Sequence, residues 1–254
     1  MFGPNLAIDL LVMRPTRSQI LSQNGGMVHK YWRCHNKKHL LRPTAMKELY
    51  LESTIFGLKH KSADGQVKIH AYCVMDNHSH QQLSYKGKST YFSNFMRVAH
   101  SVFGRKFNDI NECSGKVANE RPHTPLIKPS EEQYMRVHFY IEANPVRAGI
   151  CKLSLLKFNR FSSYRFYAHG IKDKFSAELE IPKWYLALGK TDAKRQEIYR
   201  RLFKKYLEIE RIRPGNYKGR FIGDATWKEE KQIELKRKIK EAKERKETGS
   251  PPSE

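Results

Sequence analysis

The chain has 254 residues, of which 48 are lysine or arginine and 26 are aspartate or glutamate, giving a formal charge of +22. No apolar run approaches the ~18 residues that a membrane span needs, and no secretory leader is recognisable. The four cysteines lie almost 40 residues apart without a CxxC pair, which argues against a zinc ribbon and a small disulfide scaffold. We therefore expect a cytoplasmic protein.

The positive charge belongs mainly to the body of the chain. Residues 226–254 carry a net charge of only +2, which leaves +20 on the preceding part. A polyanion that approaches such a surface releases condensed counterions, so nucleic-acid affinity that falls steeply with salt is expected. Charge alone also fits a merely soluble basic protein.

In the first half of the chain, the spacing of hydrophobic residues predicts strands and helices. A strand is expected over residues 27–34 and a helix over 43–59. Residues 67–75 alternate between apolar and polar side chains, which predicts a half-buried strand. Residues 78–85 predict a second strand, and Asp76-Asn77 supplies the turn of a hairpin.

The second half predicts mainly helices. Residues 91–108 return to a helical period with an apolar stripe. Ser130 with Gln133 forms a capping-box pattern, and Asn144-Pro145 ends the helix that begins there. A basic helix is expected over 191–211, and residues 227–247 form either a charged helix or a disordered tail.

His78 and His80 form the first motif with residue types that can take part in chemistry. On a strand these two side chains point to the same face, with Cα atoms roughly 6.5–7 Å apart. Two imidazoles so placed can converge on one metal ion. Two solvated histidines at the mouth of a hairpin give the same pattern, so this motif alone is weak.

Tyr140 and Asn144 form the second such motif. They are four residues apart on the helix that follows Ser130, so their side chains lie on one face, one turn from each other. Tyr140 falls to one side of the stripe that faces the core. The pattern is also typical of a packing tyrosine followed by an asparagine that ends a helix.

Together, MDNHSH at residues 75–80 and YIEANPVRAG at 140–149 resemble the single-tyrosine HUH transposases, and among them the REP-associated tyrosine transposases. The helix at 91–108 and RFSSYRFYAHG at 160–170 support the resemblance, which covers about residues 26–170. The chain departs from the family at Ser79, where an apolar residue is usual, and at Asp76, where proline is usual. We expect Ser79 to point away from the metal and ligation to be retained.

The resemblance implies an α+β fold with a ferredoxin-like antiparallel sheet, the histidines on a central strand and the helices on one face. It implies a catalytic domain at residues 1–170, a basic helical extension at 171–225 and a charged helical or disordered tail at 226–254. The extension would add DNA contacts. The oligomeric state stays open between monomer and homodimer, and a location at the nucleoid is expected.

The resemblance also implies an activity. Tyr140 would be the nucleophile, and His78, His80 and Asn144 would hold a divalent cation, Mg²⁺ or Mn²⁺, which suits nitrogen and oxygen donors without a thiolate. Attack on single-stranded, hairpin-bearing DNA such as REP-type palindromes would release a 3′-hydroxyl and form a 5′-phosphotyrosine link. A base must take the tyrosine proton, and the sequence does not name it.

The candidate DNA contacts are basic residues on predicted helices, in the polar segment 111–129 or beside aromatic residues, where they would hold phosphates or simply face solvent. They are Arg97, Arg105, Lys106, Arg121, Arg136, Arg160 and Arg165. Aromatic residues within 160–170 would stack on bases or pack in the core. Two other functions remain open: a non-catalytic basic nucleic-acid-binding protein, and a metal-dependent nuclease that uses water and forms no covalent link.

Overall fold

The computed structural model describes residues 15–22, 24–63, 65–118, 120–212, 215, 217 and 219–248. Residues 1–14 of the first predicted domain and 249–254 of the predicted tail lie outside the described residues. The strands are β1 (Gly25–Arg33), β2 (Val67–Val74), β3 (His78–Lys86), β4 (Leu126–Ile127) and β5 (Phe221–Ile222). The helices are α1 (Arg17–Ile20), α2 (Thr44–Lys59), α3 (Ser89–Ile110), α4 (Glu131–Glu142), α5 (Asn144–Arg147), α6 (Tyr164–His169), α7 (Lys183–Leu186), α8 (Asp192–Ile212) and α9 (Ala225–Thr248).

The elements predicted from hydrophobic period are present, with ends that differ by no more than two residues. Ser130 begins α4 as its sequence pattern indicates, because its hydroxyl accepts a hydrogen bond from the backbone N–H of Gln133 at 3.2 Å. Of the two alternatives for residues 227–247, the structure has the helix, α9. No helix among the described residues is both long and apolar enough to cross a membrane.

The sheet has the strand order β2-β3-β1-β4-β5. Its first four strands pair antiparallel, and β5 adds to β4 in parallel. The strand β3 lies between β1 and β2, the two strands that α2 connects, and this arrangement is ferredoxin-like. The predicted α+β class is confirmed, and the two histidines lie on an interior strand.

Helices cover both faces of the sheet, so the expectation of helices on one face is wrong in this detail. Ser79 faces α2, where its hydroxyl donates to the Tyr50 hydroxyl at 2.5 Å, and α3 packs beside α2. Gln82 faces the other way, and its amide donates to the Tyr134 carbonyl of α4 at 2.9 Å. The connections through α2 and α3 lie on one side because such crossovers are right-handed. The apolar residues on the second face require a cover of their own, which α4 supplies.

The segment after residue 170 packs against the same core. The basic helix α8 buries Tyr199, Phe203 and Tyr206, and the Phe203 ring lies 5.4 Å from the ring of Phe139 on α4. In α6, Tyr164 and Tyr167 are buried, so these two aromatic residues pack in the core. The boundary at residue 170 stays a prediction.

The close contact between α2 and α3 generates a stability prediction. A Cβ added at Gly57 of α2 would lie 2.9 Å from the Cβ of Ala99 and 3.1 Å from a ring carbon of Phe95, both on α3. A Cβ at Gly104 of α3 would meet nothing within 4 Å. We expect Gly57→Ala to lower the free energy of unfolding by about 1–2 kcal/mol because it overpacks the interface.

The matched substitution Gly104→Ala should raise the free energy of unfolding by about 0.5–1 kcal/mol, because alanine is the better helix former. Urea denaturation followed by circular dichroism measures both. An equal gain in the two variants would contradict the close packing of α2 against α3.

Buried His70 generates a pH prediction. Its Nδ1 donates to the Glu180 carbonyl at 2.8 Å, and its Nε2 accepts from the Ser84 hydroxyl at 2.7 Å. Burial lowers the pKa of His70 from 6.5 to about 4. Between these two pH values His70 is protonated in the unfolded chain and neutral in the folded chain. Its contribution to the free energy of unfolding is therefore fully present above pH 6.5 and is lost as the pH falls towards 4.

We therefore expect the free energy of unfolding to decline between pH 6.5 and 4, with His70 contributing at most about 1.4 kcal/mol per pH unit. The variant His70→Gln should decline less steeply, whereas His39→Gln, at an exposed position, should follow the wild type. Denaturant titrations at a series of pH values measure the slopes. An unchanged slope in His70→Gln would contradict the account.

Candidate active site between the sheet and α4

The register between β1 and β3 places polar side chains from both strands on one face. Tyr31 lies opposite His80, and Arg33 lies opposite His78. Directly opposed residues of an antiparallel pair project to the same side. The rings of His78 and His80 are 5.1 Å apart between centroids, as their spacing of two predicts. His29, two residues before Tyr31, belongs to the same face.

His80 and His29 form a buried imidazole pair. Nδ1 of His80 and Nε2 of His29 share a hydrogen bond at 2.8 Å, and their rings stack at 5.1 Å. Burial lowers the pKa of His29 to about 3, and it also lowers that of His80 well below 6.5. Both rings are therefore neutral at neutral pH, so one nitrogen of the bond donates and the other accepts.

His78 is oriented by its neighbour in the chain. Its Nδ1 lies 2.6 Å from the side-chain oxygen of Asn77, and because that oxygen only accepts, Nδ1 carries the proton. Burial lowers the pKa of His78 to about 4. The ring is neutral at neutral pH, and its Nε2 keeps a lone pair.

Tyr140 comes to this cluster from α4. Its ring centroid lies 5.6 Å from that of His80 and 5.4 Å from that of His29, in edge-on contacts. Tyr217 stacks on the Tyr140 ring at 4.0 Å, and the guanidinium of Arg147 lies 4.7 Å from the ring centroid. The structure thus brings the predicted nucleophile and a predicted ligand histidine together.

Asn144 follows one turn after Tyr140. Its amide nitrogen donates to the carbonyl oxygens of Tyr140 at 2.8 Å and Ile141 at 3.1 Å, which leaves its amide oxygen as the remaining acceptor. No three His, Cys, Asp or Glu side chains converge as a metal-binding group within the described ranges. A cation at this face would thus combine two imidazoles with an oxygen donor of another kind, such as this amide.

The two departures from the family pattern have separate structural roles. Ser79 lies on the face opposite to the histidines, as predicted, and is fully buried against α2. Asp76 forms ion pairs with Lys47 at 2.7 Å and Arg42 at 3.5 Å. These pairs tie the turn before His78 to the start of α2.

A buried polar network holds α4 in place two residues beyond Tyr140. The fully buried Glu142 carboxylate accepts from the Ser163 hydroxyl at 2.5 Å and from the Tyr199 hydroxyl. Nε2 of His138 lies 3.3 Å from the same carboxylate, and its Nδ1 lies 3.2 Å from the Gln82 side-chain oxygen. The network therefore links α4 to β3 and α8.

Four of the predicted DNA-binding residues lie on or near α3. Arg97 and Arg121 line a cavity between α3 and residues 115–118 and 120–122. Arg105 and Lys106 are exposed on α3. Their role in DNA binding stays a prediction.

The other three have carboxylate neighbours. Arg160 pairs with Glu48 at 3.1 Å, and Arg165 pairs with Asp173 at 3.8 Å. Arg136 lies on α4, 3.9 Å from a carboxylate of the same helix. Their role in DNA binding also stays a prediction.

Sequence reasoning missed five residues of the cluster. They are His29, Tyr31, Arg33, Arg147 and Tyr217. The first three follow the period-two spacing of β1, which could have placed them on one face. Tyr217 had no local signal, because its contact depends on the return of the chain after α8.

The chain is similar in structure to a protein whose structure has been solved. No protein-family model and no curated protein matches the chain. Among solved structures, the chain is similar to a REP-associated tyrosine transposase bound to a REP hairpin, with 19% identity and a TM-score of 0.45. The match covers 67% of this chain and 100% of the other. That protein carries the name of the family that the sequence motifs resemble.

The stack between Tyr140 and Tyr217 generates a prediction. The Tyr217 hydroxyl donates to Glu210 at 3.0 Å and lies 3.3 Å from the Tyr206 hydroxyl. In Tyr217→Phe the stack remains, so the ring signals of Tyr140 in ¹³C NMR should keep their chemical shifts. In Tyr217→Leu the stack is lost, so these signals should move. Identical Tyr140 signals in both variants would contradict the stacked arrangement.

Proposed function

We propose that this protein cuts single-stranded DNA and transfers the cut strand through a 5′-phosphotyrosine intermediate on Tyr140, assisted by a divalent cation. The observation that carries the proposal is the 5.6 Å separation of the Tyr140 and His80 rings, which come from separate elements. His78 stands beside His80 on the same face. The motif resemblance supplies the roles, and hairpin DNA of the REP type is the proposed substrate.

The chemistry assigned to Tyr140 is an in-line displacement. The Tyr140 hydroxyl loses its proton to solvent, and its oxygen forms a bond to phosphorus as the bond from phosphorus to the 3′-oxygen breaks. The departing 3′-oxygen takes a proton from solvent and becomes a hydroxyl. The phosphoester is preserved on the tyrosine, so a 3′-hydroxyl can reverse the reaction and rejoin a strand. The Arg147 guanidinium lies 4.7 Å from the centre of the Tyr140 ring and places a positive charge beside the attacking group.

The donor atoms present fit a hard divalent cation. A neutral imidazole binds a metal through an unprotonated nitrogen, and partners at the other nitrogen fix its tautomer and orientation. Asn77 engages Nδ1 of His78, and His29 engages Nδ1 of His80, so Nε2 of each ring would be the ligand atom. With the amide oxygen of Asn144, these atoms would hold Mg²⁺ or Mn²⁺, which when bound neutralises charge on the scissile phosphate.

The proposal is tested with end-labelled single-stranded hairpin DNA and Mn²⁺, analysed on a denaturing gel. We expect the wild type to form a protein–DNA adduct and Tyr140→Phe to form none while it still binds the hairpin. Tyr134→Phe is the matched control, because it removes a hydroxyl from the same helix and should keep the adduct. His78→Ala should lose cleavage with little change in salt-sensitive affinity.

Two other outcomes would contradict the proposal. Cleavage that persists in Tyr140→Phe, without an adduct in the wild type, would indicate a hydrolytic nuclease. Tight binding of intact DNA by the wild type, with no cut at any Mg²⁺ or Mn²⁺ concentration, would indicate a binding protein.

A further inference from the structure

A large cavity lies on the face of the sheet opposite to the candidate active site. It has a volume of about 730 Å³ and opens between α3 and residues 115–118 and 120–122. Trp32 lines it from β1, and Phe103 lines it from α3. Because Trp32 is the neighbour of Tyr31 in an extended strand, the two side chains project to opposite faces. The cavity is therefore separate from the cluster around Tyr140.

Two buried ring nitrogens on the cavity wall lack hydrogen-bond partners. The indole N–H of Trp32, a residue only 1% exposed, finds no acceptor within the part of the chain that is described, and Nε2 of His100 finds no partner there either. The two rings are stacked at 5.7 Å. Leaving a buried polar group unsatisfied is unfavourable, so such groups are normally paired in the functional state.

The rim of the cavity is strongly basic. Arg17, Arg97, Lys116 and Arg121 line it, together with one carboxylate, Glu120. Burial and the nearby charge of Arg121 lower the pKa of Arg17 to about 10. Two cations that repel each other over a partly apolar cavity favour an anion between them.

We propose that this cavity binds a nucleoside 5′-phosphate, with the base against Trp32 and His100 and the phosphate on the arginines. A volume near 730 Å³ lies within the range of about 300–1,000 Å³ that is usual for small-molecule pockets. The ligand is either a free nucleotide or one unpaired nucleotide of a bound strand. Only the second source rests on the proposed function.

Gly104 offers a way to fill the cavity without disturbing the fold. It lies on the cavity wall in α3, and a Cβ there meets nothing within 4 Å. Gly104→Leu should block the cavity, and Gly104→Ala adds only a methyl group. The melting temperature of both should equal or exceed that of the wild type, because leucine and alanine favour helix over glycine.

The free-nucleotide arm uses calorimetric titration with dGMP, dAMP, dCMP, TMP and inorganic phosphate. We expect at least one mononucleotide to bind more tightly than phosphate, and Gly104→Leu to weaken it at least tenfold while Gly104→Ala changes it less than threefold. Arg97→Gln should also weaken it, whereas Lys236→Gln, which removes an exposed charge of α9, should not. If Gly104→Leu fails to fold, the Arg97→Gln comparison still decides.

The strand arm uses fluorescence anisotropy with a short single-stranded oligonucleotide carrying one abasic position, moved along its length. If the ligand is a nucleotide of the strand, one abasic position weakens binding by the wild type about tenfold and has no effect on Gly104→Leu. Tyr140→Phe should behave as the wild type in both arms, so failure of the proposed catalysis leaves this test intact. The inference would be overturned if no mononucleotide binds and no abasic position weakens strand binding. It would also be overturned if inorganic phosphate binds as tightly as every mononucleotide.

Discussion

The register between β1 and β3 is the constraint on which the rest of the structure depends. Because side chains alternate between faces, a slip of one residue would carry His78 and His80 to the side of α2 and away from α4. Buried polar pairs on that side hold the register. The side-chain nitrogen of Lys30 donates to the Gln81 side chain at 2.8 Å, and the Ser79 hydroxyl donates to that of Tyr50. These groups lose their partners in any other register, and burying them unpaired is unfavourable.

The docking of α4 is the second constraint, and it also depends on buried polar groups. The Glu142 carboxylate is fully buried, and it accepts hydrogen bonds from Tyr199 of α8 and from Ser163, the residue directly before α6. Such a network stabilises only when its members are satisfied together, so it selects one position for α4. That position sets the Tyr140 ring beside His80. The aromatic side chains after residue 170 therefore help to place a residue that lies well before them in the chain.

The sequence predicts the local parts of this arrangement. Period-two spacing placed the histidines on one strand face, and helical spacing placed Tyr140 beside the core-facing stripe, because both follow from backbone geometry alone. The two-residue strands β4 and β5 had no such signal, since their pairing depends on distant segments. For the same reason, no local pattern predicts that α4 covers the second face of the sheet. The contact of Tyr217 with Tyr140 joins residues far apart in sequence, and no local pattern encodes it.

The central claim is that Tyr140 is the residue that bonds to DNA at the histidine face. Trypsin cuts after Arg136 and Arg147, and the peptide between them, residues 137–147, contains Tyr140 as its single tyrosine. The most direct measurement is mass spectrometry of this peptide after the protein has reacted with hairpin DNA and nucleases have trimmed the attached strand. The account predicts a nucleotide joined through its 5′-phosphate to Tyr140. A peptide that stays unmodified while the DNA is cut, or an adduct on another residue, would contradict it.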